Sequence, residues 1–108
     1  MSHRVAFSAD ARIDIEDLFD FIAKQADPAT ALGYIERLER WCQVLSSFPN
    51  RGTVRDDIRP GLRVIGFERR VAVAFVVGSD TVLIERLLYG GRDLRGAFRT
   101  TESKTDEG

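Results

Sequence analysis

Seven consecutive apolar residues, Val71-Ala72-Val73-Ala74-Phe75-Val76-Val77, restrict the fold of this chain more than any other stretch. The run is far shorter than the roughly 20 apolar residues of a membrane span. Its β-branched and aromatic side chains suit a strand. As a strand it sends Val71, Val73, Phe75 and Val77 to one side and Ala72, Ala74 and Val76 to the other. An antiparallel sheet covered on one face alternates apolar and polar residues. Here both sides are apolar, so both need cover. Either the small alanines and the C-terminal segment close the second face, or a partner does.

The neighbouring sequence supplies the rest of the sheet. Leu62 to Phe67 and Thr81 to Tyr89 read as strands, joined to Val71–Val77 by the hairpin-length links Glu68-Arg69-Arg70 and Gly78-Ser79-Asp80. Val5 to Phe7 is a further short strand. The stretch NRGTVRDDIRPG, with Gly52 and Pro60-Gly61 as turn signals, reads as a loop.

Two helices precede the sheet. Ser8 can cap the first, in which Ala11, Ile15, Leu18 and Ile22 recur at helical spacing to about Gln25, with Asp14, Asp17 and Asp20 off that stripe. Asp27 can cap the second, and Pro28 fits its first position, where no amide bond is lost. Ala31, Ile35, Leu38, Cys42 and Leu45 form its stripe, and Phe48-Pro49 ends it. The short link makes an antiparallel helical hairpin. The expected fold is therefore α+β: a short N-terminal strand and a helical hairpin packed on a mostly antiparallel sheet of about four strands. Residues 1–99 are expected to form one domain, and 100–108, TTESKTDEG, a frayed polar tail.

Charge and composition narrow the functions. Hydrophobic residues make up 44% and charged residues 31%, as in soluble proteins. The N-terminus lacks the apolar core of a signal peptide, so a cytoplasmic location and no membrane partner are expected. Cys42 cannot form an internal disulfide and reads as a small core residue, and with His3 as the one histidine a Cys/His metal site lacks ligands. Neither a metal nor a cofactor is expected. Residues 51–99 carry 10 basic and 6 acidic side chains, and all ten basic ones are arginine, whereas residues 1–50 carry 5 basic and 8 acidic. Such a surface suits fork-like contacts to carboxylates or phosphates.

The segments DDIRPGLRVIGF, RR-V-x-V-x-F and IERLLYGGRDL, with A-x-x-D-I-x-D-L-x-D-F-I and the A-x-x-Y-I-x-x-L pattern around Tyr34, resemble the ParE/RelE superfamily. These are toxins of bacterial type II toxin–antitoxin systems, and the ParE branch is the nearer. The resemblance runs from Val5 to Phe98. It implies the same fold, and a cognate antitoxin encoded beside the gene whose C-terminal segment wraps the toxin's apolar surface. Candidate residues for that cover are Val71, Val73, Phe75 and Phe98. Two targets follow from the two branches: RelE-like members cut mRNA on the ribosome, whereas ParE-like members poison DNA gyrase.

Metal-free RNA cleavage needs a group that activates the 2′-hydroxyl, cations for the phosphate and an acid for the leaving oxygen. The nuclease branch places basic residues at the first and third positions of the strand after the proline turn; this chain has Arg63 and Ile65. An arginine opening the next strand is matched within one residue by Arg70, and one in the final turn by Arg92. A tyrosine then follows in that branch, where Phe98 stands here. Arginine stays charged and moves no proton; Tyr89 is the remaining hydroxyl nearby. The near-neutral net charge also disfavours docking on RNA, and no direct specific nucleic-acid binding is expected. The sequence thus favours a ParE-like gyrase inhibitor acting by protein contact, with a ribosome-dependent mRNA interferase as the alternative. Arg63, Arg70, Arg86, Tyr89 and Arg92 are the candidate target or antitoxin contacts. For Arg86 the competing role is an ion pair with a helix carboxylate such as Asp17 or Asp20. Gly90-Gly91 reads as a turn rather than a phosphate loop.

Overall fold

A computed structural model describes residues 3–90 and 92–98; Gly91, Arg99 and the expected tail 100–108 lie outside the described residues. The elements run β1 (Arg4–Phe7), α1 (Ala9–Gln25), α2 (Pro28–Cys42) continued by a 3₁₀ turn (Gln43–Ser46), β2 (Thr53–Val54), β3 (Leu62–Phe67), β4 (Val71–Val77) and β5 (Thr81–Tyr89). A single helical turn spans residues 94–98. The five strands form one sheet in the order β1-β5-β4-β3-β2. β1 joins β5 in parallel, and the other three pairings are antiparallel.

The α+β expectation holds, with one strand more than expected. The addition is β2, in the stretch read as a loop, where Thr53 pairs with Val64 and Val54 with Arg63. Gly52 makes that approach possible. Its φ is +85°, and a Cβ there would stand 2.6 Å from the Val64 carbonyl oxygen.

Both helix starts form as the sequence indicates. Ser8 Oγ accepts from the Ala11 amide at 3.0 Å, and Asp27 Oδ1 accepts from the Thr30 amide at 2.7 Å. The two stripes meet the sheet in one core containing Leu18, Leu38, Cys42, Val73, Phe75 and Ile84. Burial pushes the Cys42 thiol up to about 12, which makes it an inert packing group.

The opposite face of the sheet is closed by the chain itself. Leu62, Ala74 and Phe98 form a second buried cluster, with Ile58, Val64, Val76 and Leu94 packed around it. Arg95 of the terminal turn pairs with Asp57, and Arg59 lies 5.9 Å from the Phe98 ring centroid. Of the two ways to cover β4, this is cover from within, by small alanines and the C-terminal turn. Val71, Val73 and Phe75 face the helices at 0–2% exposure, and Phe98 is 4% exposed. These four residues therefore form no open apolar surface, which corrects the expectation that they await a partner.

Candidate functional site

The five candidate contact residues do not form one cluster. Arg86 sits at a β-bulge, where the register of β4 and β5 shifts between Ala74 and Phe75. Its Nε and Nη2 donate to Asp14 at 2.8 and 3.0 Å, and the Leu87 amide donates to the same carboxylate at 2.9 Å. Asp14 is 3% exposed. The Asp14 carboxylate raises the Arg86 pKa against the opposing effect of burial. Arg86 is thus a structural tie between α1 and β5. The expected ion pair exists, but its partner is Asp14 rather than Asp17 or Asp20. Ser8 Oγ reinforces it by donating to the Glu85 carbonyl at 2.8 Å.

Arg63 lies at the start of β3, at the opposite end of that strand from Arg70, and its Nη1 donates to the Asn50 and Arg51 carbonyls at 3.0 and 3.4 Å. Its head group pins the loop that leads into β2. Ile65, two residues on, packs against the helix-side core.

The remaining three converge at the other end of the sheet. Arg70 closes the β3–β4 link, Tyr89 ends β5, and Arg92 lies just beyond it. Arg92 stacks on the Tyr89 ring at 4.2 Å and donates to its hydroxyl at 2.8 Å, while that hydroxyl donates to the Asp17 carbonyl at 3.4 Å. Phe21 packs on the other part of the ring, with centroids 5.1 Å apart.

Arg70 and Tyr89 line a groove of about 660 Å³ between the linked end of the helical hairpin, where α1 turns into α2, and the β3–β4 turn. Leu18, Phe21 and Ile22 give it an apolar wall, and Tyr34 lies on its α2 side. Phe21 is 44% exposed there. Arg37, Glu68 and Arg69 form the mouth. Arg37 and Glu68 pair twice, at 3.1 Å each, which holds the Glu68 carboxyl below its ordinary range. The turn beneath is strained: Glu68 has φ +49° and Arg69 φ +60°. Hairpin turns of this hand favour Asn-Gly, because a Cβ disfavours the left-handed region.

Sequence reasoning placed Arg70, Tyr89 and Arg92 among the contacts but did not single out Phe21, Arg37, Arg69 or the Tyr34 hydroxyl. One available signal was Phe21, an aromatic just off the apolar stripe of α1. Another was Tyr34, whose ring fits the stripe of α2 while its tip needs a hydrogen bond. No group of three or more His, Cys, Asp or Glu side chains among the described residues is placed to hold a metal ion. No helix among them is long and apolar enough to cross a membrane. Phe98 lies on the far side of the sheet, packed with Leu62 and Ala74 rather than at the groove.

The fold of this chain, a helical hairpin on a mostly antiparallel sheet, is also found in a solved structure described as a chromosomal ParDE TA system from P. aeruginosa. It superposes with a TM-score of 0.71 at 21% identity, over 82% of this chain and 96% of that one, and so establishes the fold. The family model of the ParE toxin of type II toxin–antitoxin systems, parDE, matches residues 5–94. Toxin ParE3 of Caulobacter vibrioides is 30% identical over 81 residues, which are 75% of this chain and 80% of that protein. The chain belongs to the ParE toxin family.

Proposed function

We propose that this toxin inhibits DNA gyrase in the cytoplasm by protein–protein contact and is neutralised by a cognate antitoxin encoded beside it. The observation that carries this reading is the chemistry at the positions where an RNA-cutting relative would work. Ile65 packs against the core and Phe98 is buried on the opposite face of the sheet. Arg63 is engaged with backbone carbonyls and Arg86 with Asp14. Arginines can hold a phosphate or a carboxylate, but proton transfer typically contributes about 10² to 10⁴ in rate and needs a group that titrates. Membership of the ParE family supports the same reading. The open groove, with its apolar wall and its mouth of arginines, offers a surface for the antitoxin.

Two assays in parallel test this: purified toxin with gyrase and relaxed plasmid, and purified toxin with programmed ribosomes. Supercoiling should slow while ribosome-bound mRNA stays intact, for the wild type and for Phe98→Tyr alike. Codon-specific cuts by the wild type would establish the interferase alternative and make Tyr89 its first candidate for catalysis.

A further inference from the structure

On the α2 side of the groove, the Tyr34 hydroxyl is buried and has no hydrogen-bond partner among the described residues. Tyr34 as a whole is 7% exposed. Its ring is fixed on two sides, by Phe67 edge-on at 5.6 Å and by the Arg37 guanidinium 5.1 Å from its centroid. A buried donor without an acceptor is uncommon in a native fold, because the group has lost its water and gained nothing. Burial, helped by the Glu68 carboxylate, pushes the phenol's pKa up, so the group is an O–H donor at physiological pH.

The charges that bear on this hydroxyl are Glu68, Arg70 and Arg37. Arg37 and Glu68 balance each other. Arg70 makes no ion pair with another described residue. The groove therefore offers a fixed donor within a net positive charge, since Arg37, Arg69 and Arg70 face the single carboxylate of Glu68.

We propose that Tyr34 and Arg70 together receive one carboxylate side chain, an aspartate or a glutamate, from the antitoxin segment seated in the groove. The inference rests on the antitoxin reading above and adds which chemistry the groove selects. The hydroxyl donates to one carboxylate oxygen, and Arg70 balances the charge. Leu18, Phe21 and Ile22 take the segment's neighbouring apolar side chains, so the occupant is amphipathic with an acidic residue beside its apolar anchors. A lysine at that place would face Arg69 and Arg70. An apolar side chain would leave the hydroxyl without an acceptor, and a site with an unpaired buried polar group discriminates strongly against such a ligand. A segment entering the groove passes the Arg37–Glu68 pair at the mouth, whose side chains are 51% and 41% exposed. Exposed pairs of this kind add little to stability.

The test is isothermal titration of the full-length product of the adjacent reading frame into this toxin, as wild type and as Tyr34→Phe. That substitution removes one oxygen and keeps the ring. Affinity should fall tenfold or more, about 1.4 kcal/mol, with a melting temperature at or above that of the wild type. The loss should disappear against one antitoxin variant, found by changing its acidic residues to alanine one at a time. Equal affinity for wild type and Tyr34→Phe overturns the carboxylate receptor and leaves the antitoxin reading standing. So does a loss that persists against every acidic-to-alanine variant. Failure of the adjacent product to bind the wild type overturns the antitoxin reading, and this inference with it.

Discussion

Asp14 accepts two hydrogen bonds from Arg86 and one from the Leu87 amide while almost wholly enclosed. Its stability role follows from what is left behind when it goes. A guanidinium and an amide would then be without an acceptor beneath α1, and breaking a buried pair typically costs about 3–5 kcal/mol. Asp14→Ala is expected to lose that much in a denaturant titration. Replacing both partners, as Asp14→Leu with Arg86→Met, should recover part of the loss, because no buried charge remains. Recovery stays incomplete because the Leu87 amide still lacks its acceptor. A cost under about 1 kcal/mol for Asp14→Ala would show that water reaches the pair, and would return Arg86 to the pool of free contact residues.

At the scale of the element, the β3–β4 hairpin holds two non-glycine residues, Glu68 and Arg69, in left-handed backbone beside the groove. The Arg70 amide closes the turn on the Phe67 carbonyl at 3.0 Å. Left-handed backbone costs an L-residue about 1–2 kcal/mol, whereas glycine adopts it freely but loses more chain entropy on folding. Arg69→Gly is therefore expected to stabilise the fold by about 0.5–1 kcal/mol, seen as a higher melting temperature. The same change removes a cation from the groove mouth and should weaken antitoxin binding. A hairpin retained for its arginine would show this opposition, since surrounding structure holds strained residues in place where they serve a site. If stability and affinity rise together, the strain has no functional counterpart.

Across the whole molecule, the sheet has one core under the helices and a smaller one under the terminal turn. The second depends on very few side chains, of which Phe98 is the largest. Deleting residues 94–108 is expected to leave the helix-side core folded, with far-ultraviolet circular dichroism little changed, while uncovering Leu62, Val64, Ala74 and Val76. An apolar strip on a sheet face promotes self-association. Light scattering should therefore show a rise in molecular mass for the truncated chain that the intact chain does not show at the same concentration. A truncated chain that stays monomeric would mean this face needs no cover.

The helices and three of the longer strands were legible in the sequence because each is fixed locally. Ser8 and Asp27-Pro28 start the helices, their apolar stripes set the buried faces, and the short links of β3, β4 and β5 leave hairpins as the simple connection. That Val71–Val77 needs cover on both sides was equally legible, since alternation depends on side-chain direction alone. What covers the second side was not, because Phe98 and Leu94 reach it only once the chain has turned back across the sheet. The two-residue strand β2 escaped for a related reason: Thr53-Val54 has no pattern of its own and is a strand only through its pairing with β3. Among the site residues, the arginines were visible as a type, but their uses were decided by distance. Asp14 claims Arg86, the loop carbonyls claim Arg63, and Arg70, Tyr89 and Arg92 gather at one end of the sheet. Periodicity places a side chain on a face, whereas a partner for its charge or hydroxyl comes from residues tens of positions away, and only the tertiary structure brings those within reach.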